Sequence, residues 1–168
     1  YVFDSRDISS SWFFSGAIRS YSLGPVVHYA DLVECLPYDD AVYMLKVTGT
    51  QLERMIRHIL RDEAFQGEHT EFYQFSHGMR IVWSRSGQVF RELTLDGEAL
   101  YAERLYTVAV QKYHYNNLKP FLDITLEEVE KNGKIRVLST SARDVVEEYL
   151  TVNQHLSREV EGRLVVEA

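Results

Sequence analysis

The chain has 168 residues, 45% of them apolar and 26% charged, which are the proportions of an ordinary globular domain and not of a disordered segment. With 18 basic residues against 25 acidic ones the net charge is −7, too acidic for the basic footprint that a duplex nucleic-acid binder needs. No apolar run approaches the roughly 20 residues of a membrane-spanning helix, and the single cysteine, Cys35, allows neither an internal disulfide nor a cysteine-based zinc site.

The chain opens at Tyr1 with no signal peptide and no linker-like Pro/Gly/Ser tract, and reads as a domain excised from a longer protein. Residues 1–11 read as a lead-in segment and 12–168 as one domain. Trp12 to Ile18 is an apolar run broken by Ser15-Gly16, a strand turning sharply into a loop. His28 to Leu36 carries Leu32, Val33, Cys35 and Leu36 at helical spacing and stops at Pro37. Val42 to Thr48 is β-branched and aromatic, hence a strand. The clearest helix follows: Thr48 and Gln51 form a capping box, and Leu52, Met55, Ile56 and Ile59 share one face. Arg54, Arg57, His58 and Arg61 fall on the other faces and are expected in solvent. Residues 62–71 read as a polar loop. Met79 to Ser84 and Val89 to Leu95 predict a hairpin across Arg85-Ser86-Gly87, with another turn at Asp96-Gly97.

Leu105 to Gln111 alternates as a strand should, and Ile135 to Ser139 forms a short strand after Asn132-Gly133. Ser141 and Asp144 cap a second helix expected to turn Ala142, Val145, Val146 and Tyr149 inward, and Arg163 to Val166 closes the chain as a strand. Hairpins in the middle of this order argue against a doubly wound parallel sheet. The expected class is α+β, a mixed, largely antiparallel sheet with helices packed on it.

Chemistry-bearing motifs are sparse. The six histidines are scattered at positions 28, 58, 69, 77, 114 and 155, with no pair flanking an acid at helical spacing. A two-metal phosphoesterase centre needs several converging His, Asp and Asn ligands, and this pattern does not supply them. Ser15-Gly16 lacks the surrounding glycines of a nucleophile elbow. The carboxylate pairs Asp39-Asp40, Glu127-Glu128 and Glu147-Glu148 are sequence neighbours and read as solvated faces. The aromatics say more: 11 Tyr and 8 Phe, with Tyr38 beside Pro37 and Tyr113 and Tyr115 ahead of Asn116-Asn117. Most such rings belong to cores. One at a strand end beside a polar loop can instead stack on a flat ligand, worth roughly 1–3 kcal/mol per base.

Several segments, taken in order, resemble the C-terminal domain of the 5′-nucleotidase / UDP-sugar hydrolase / 2′,3′-cyclic-nucleotide phosphodiesterase family. Ser15-Gly16-Ala17-Ile18-Arg19 resembles the family's Asn-x-Gly-x-Ile-Arg loop. Gly24-Pro25-Val26 through Leu36-Pro37-Tyr38 is similar to its segment ending in Leu-Pro-Phe, and Val47-Thr48-Gly49 through Ile59 to its strand-to-helix junction. Phe72 to Arg80 and Leu105 to Val110 resemble two further strands, and Val160 to Leu164 resembles the closing Glu-Gly-Arg-Ile. The resemblance spans about residues 12 to 166.

The resemblance implies a division of labour. A metallophosphoesterase domain upstream would hold two divalent metal ions and hydrolyse the substrate. The present chain would hold no cofactor, catalyse nothing alone, and grip the nucleoside or sugar part of a nucleotide or related phosphorylated small molecule. Arg19 matches the loop arginine, a fork suited to the phosphate or ribose side. Tyr38 and Tyr113 match the two rings that sandwich the base, and are expected to face one another across a cleft with Arg19 near its rim.

Two positions depart. Phe14 stands where the family has the substrate-binding Asn of the loop. The Asn-Gly-Gly-Asp-Gly loop reads Asn116-Asn117-Leu118-Lys119-Pro120, so Lys119 replaces the ribose-binding Asp and disfavours ordinary ribose recognition. The competing class is an interaction or dimerisation domain, self-associating as a homodimer for instance, that kept the fold and lost the ligand. Family members are often exported or held at the cell surface, while a lone thiol without a visible signal leaves a cytoplasmic protein open.

Overall fold

The computed structural model describes residues 10–14, 18–20, 22–66, 73–157 and 159–168. The lead-in before residue 10, the Ser15-Gly16 break, the second half of the polar loop and Phe72 lie outside the described residues. Strand β1 (Ser10–Phe14) is followed by helix α1 (Tyr29–Cys35), β2 (Val42–Thr48) and α2 (Gly49–Ile59). A 3-10 turn at Asp62–Phe65 precedes β3 (Tyr73–Phe75), the hairpin β4 (Met79–Ser84) and β5 (Val89–Leu95), the two-residue β6 (Glu98–Ala99) and β7 (Leu105–Gln111). Three short helices come next: α3 (Lys112–Asn116), α4 (Leu118–Leu122) and α5 (Leu126–Asn132). Then β8 (Arg136–Ser139), α6 (Ala142–Val152) and β9 (Leu164–Glu167) complete the chain.

The class is α+β, as expected, but the strands divide between two sheets. The first has the order β3-β1-β7-β2-β8 and the second β6-β5-β4-β9. Ladders are antiparallel except β1 with β7 and β4 with β9. The Glu161-Gly162-Arg163 motif leads into the last pairing, where the Ile81 amide donates to the Arg163 carbonyl at 2.8 Å. Arg163 donates to the Phe75 carbonyl at 2.7 Å and to Glu161 at 2.8 Å, and His77 lies 3.1 Å from the same carboxylate. Hydrogen bonds from Arg163 and His77 pull the Glu161 carboxyl down to about 2.

The main core lies between the sheets. Leu45 and Val47 of β2, Val108 and Val110 of β7, and Ile81 and Trp83 of β4 surround Leu52, Met55, Ile56 and Ile59 of α2. Alternation sends the other residues of β2 and β7 to the opposite face, where Val42 and Ala109 meet Ala142 of α6. The first sheet therefore carries helices on both faces. Of the four residues expected inward on α6, Ala142 is buried, while Val145, Val146 and Tyr149 are half-buried. Among the described residues no helix is long and apolar enough to cross a membrane.

Two expectations need correction. The basic residues of α2 are not simply in solvent. Arg54 binds Glu128 of α5 at 2.6 Å, the Arg57 guanidinium lies over the rings of Trp83 and Phe90, and His58 Nε2 is 2.9 Å from the Pro120 carbonyl. Long basic side chains lay their stems on apolar surface while their heads find partners. The stretch after β7, whose residues 116–120 the resemblance matches to a family loop, winds into α3 and α4 instead, because Leu118 and Leu122 anchor it against the core.

Candidate functional site

Strand register decides which segments meet. Val42 opens β2 and pairs with Gln111, the last residue of β7, and the Lys112 amide donates to the Ala41 carbonyl at 2.8 Å. The loop entering β2, which carries Tyr38, and the helix leaving β7, which carries Tyr113, therefore start from one end of the sheet. Strand β1 runs parallel to β7 with Ser10 beside Val108, so its end at Phe14 lies at that end too. Ser139 of β8 pairs with Val42 and delivers the N-terminus of α6 to the same place. Four segments distant in sequence share one edge.

Each side chain is held by identifiable contacts. The Arg19 amide donates to the Cys35 carbonyl at 2.8 Å, and its guanidinium carbon lies 5.5 Å from the centre of the Tyr38 ring. A cation over a phenol face at that distance is an attractive pair. Tyr38 is 57% exposed. Its loop is fastened to α6: Asp39 accepts from the Ser141 hydroxyl at 2.8 Å and the Arg143 amide at 3.1 Å, and Arg143 donates to the Leu36 carbonyl at 2.9 Å. Tyr113 is 46% exposed and packs on Phe121 and His114, at centroid distances of 5.3 and 5.8 Å. Its carbonyl accepts the Asn117 side-chain amide at 2.8 Å.

His114 is buried beneath, also against Tyr73, and burial pulls its pKa down to about 4. Tyr115 points elsewhere, stacked flat on Tyr43 at 4.2 Å. Asn116 ends α3 and is exposed. Lys119 pairs with Asp123 one turn on, which in turn lies 3.7 Å from Arg54. The Lys119 hydrogen bond holds the Asp123 carboxyl below the usual carboxylate range. The Phe14 side chain lies outside what is described. Among the described residues no three His, Cys, Asp or Glu side chains gather as a metal site would require.

A separate groove of about 810 Å³ runs between residues 23–32 and the second half of α6, lined by Pro25, Val26, Tyr29, Glu147, Leu150 and Leu156 among others. Neither Tyr38 nor Tyr113 lines it. Sequence reasoning singled out both tyrosines and Arg19 and read Asp39 as part of a solvated face; it gave no role to Arg143, which with Asp39 makes bonds across about a hundred residues. The capping pair Ser141 and Asp144 was the visible signal near Arg143.

A family model described as the C-terminal domain of 5′-nucleotidase matches residues 8–122. No curated protein matches the sequence. Among solved structures the fold is similar to a 5′-nucleotidase precursor from Thermus thermophilus, with a TM-score of 0.76 and 17% identity over 99% of this chain and 33% of that one. It is also similar to the NAD nucleotidase of Haemophilus influenzae, with a TM-score of 0.77 and 12% identity over 96% of this chain and 30% of that one. A third likeness is to the sulfate thiohydrolase SoxB of Thermus thermophilus, with a TM-score of 0.62 and 17% identity over 96% of this chain and 29% of that one. The chain spans about a third of the length of these proteins.

Proposed function

The chain belongs to the family of 5′-nucleotidase C-terminal domains, and from that premise we propose that it is the substrate-gripping domain of a metal-dependent nucleotide phosphohydrolase. The observation that carries the reading is the shared sheet end, where Tyr38, Tyr113 and Arg19 arrive from three separate segments. Two exposed phenol rings offer flat faces to a base, and a guanidinium offers a fork to phosphate or ribose oxygens. Hydrolysis, with its two divalent metal ions, belongs to a metallophosphoesterase domain elsewhere in the protein. The ligand class is a nucleotide or a related phosphorylated small molecule. Asn116, exposed at the end of α3, is a further polar contact, and Phe14 stands at the sequence position where the family has a hydrogen-bonding Asn.

Lys119 favours a second reading. Its ammonium is tied to Asp123, and the helix carrying it stands where the family has its ribose-binding loop. A domain that lost its ligand and served interaction or dimerisation would show the same change. Titration of the full-length protein with AMP and UMP separates the two readings, recording tyrosine ring resonances in wild type, Tyr38→Ala and Tyr113→Ala. The binding reading expects both ring signals to shift and each substitution to weaken binding by roughly tenfold, the scale of one lost stack. Rings that respond to no nucleotide leave the interaction domain as the function.

A further inference from the structure

The match to the family model ends at residue 122, yet a helix beyond it holds the Tyr38 loop. Arg143, in the first turn of α6, reaches back over the sheet end. Its Nη2 donates to the Leu36 carbonyl at 2.9 Å and the Pro37 carbonyl at 3.4 Å, and its Nε to Leu36 at 3.3 Å. Leu36 is the C-cap of α1, so its carbonyl is among those a helix end leaves without an intrahelical partner. A planar guanidinium serves two neighbouring carbonyls at once, which a lysine ammonium on a flexible stem does poorly.

The bonding also runs the other way. Asp39 accepts from the Ser141 hydroxyl and the Arg143 amide, placing a carboxylate at the α6 N-terminus, where the helix dipole favours it. Tyr38 thus sits between two residues, Pro37 and Asp39, that are both bonded to α6. Its backbone is restrained on either side while its ring stays exposed and lies under Arg19. The Arg143 side chain is only 14% exposed, so it is a committed strut and not a free surface cation.

We propose that Arg143 is a positioning residue for the ligand: by fixing the Leu36 and Pro37 carbonyls it sets the direction in which the Tyr38 ring and the Arg19 guanidinium face a planar molecule. The role rests on the nucleotide-gripping reading above, and Arg143 itself need touch no ligand. A residue that only stapled α6 to α1 would affect melting and nothing else.

The test uses the full-length protein labelled with 3-fluorotyrosine, with Tyr38→Phe to assign the Tyr38 signal and AMP and UMP as probes. In Arg143→Gln the Tyr38 fluorine signal moves while that of Tyr113 stays, and AMP affinity falls roughly tenfold, comparable with losing a stack. Arg143→Lys recovers melting temperature more than affinity, because charge returns without the fork. Should Arg143→Gln fail to fold, Ser141→Ala, which loosens Asp39 and leaves the guanidinium in place, is expected to move the same signal by less. An unmoved Tyr38 signal in a folded variant, or unchanged affinity beside a wild type that binds, overturns the positioning role alone. A wild-type protein that binds neither nucleotide overturns the function reading and this role with it, a failure visible before any substitution is made.

Discussion

His114 shows what one buried residue does to this site. Its ring lies edge-on to Tyr73, Tyr113 and Phe121, so it supports the exposed Tyr113 phenol from below. Removal from water disfavours the charged form and lowers the pKa to about 4 from its ordinary value of 6.5. Between those two values the unfolded chain binds the proton and the folded one does not. Stability from the neutral ring is therefore complete above pH 6.5 and is lost as pH falls towards 4. From about pH 6.5 to about pH 5 the loss is about 1.5 kcal/mol, in a window where most carboxylates remain ionised. Denaturant melts across that window are expected to show this slope in wild type and to lose it in His114→Phe, which keeps a ring among rings. Equal slopes in the two proteins would refute the assignment. Lys119 gives a contrasting lesson: a residue that reads as a gained cation in the pocket has its charge engaged by Asp123.

The junction of β2 and α2 is where local sequence and global packing agree most closely. Thr48 accepts the Gln51 amide and Gln51 accepts the Thr48 amide, the reciprocal box expected from the residue types. The Gly49 and Thr50 amides, which have no partner inside the helix, donate to Arg104 and Ala102 in the turn before β7. That close approach explains the glycine, since a Cβ at residue 49 would lie 2.2 Å from the Tyr101 carbonyl oxygen. Gly49→Ala is therefore expected to cost about 1–3 kcal/mol or more, as overpacking does, despite the better helix propensity of alanine. Ile56, with no exposed surface, is expected to cost about 2–5 kcal/mol on truncation to Ala. Chemical denaturation measures both, and an Ile56→Ala cost under about half a kcal/mol would mean that the buried face was misassigned. Such elements were legible because cap, period and burial coincide within a dozen residues. The α3–α5 stretch was not. Helices of five, five and seven residues show little periodicity, Asn116-Asn117 and Pro120 imitate a loop, and only the Thr125 and Glu128 capping box signals a helix start.

At the scale of the molecule, the candidate site is brought together because strands far apart in sequence pair in one register. Local patterns could name Tyr38 and Tyr113 but could not place Val42 against Gln111, or Ser10 against Val108. The resemblance to a family supplied the expectation that the two tyrosines share a ligand, and residue types alone would have left them as two exposed rings. The same reasoning divides binding from chemistry in a chain that spans about a third of the proteins it resembles. Two stacking contacts contribute on the order of 2–6 kcal/mol before the entropy of association is subtracted. The 168-residue chain is therefore expected to bind AMP with a Kd of roughly a millimolar at best, since the phosphate end of the ligand has the Arg19 guanidinium to meet it here. If the division of labour proposed above holds, the full-length protein has metal ions as well to meet the phosphate and is expected to bind more tightly. Phosphate release from AMP, UDP-glucose and a chromogenic phosphodiester, with Mn²⁺ or Zn²⁺ present, should be undetectable for the 168-residue chain and measurable for the full-length protein. Turnover by the pure short chain that disappears on a single substitution within it would place the chemistry in this domain and end the division of labour proposed for it.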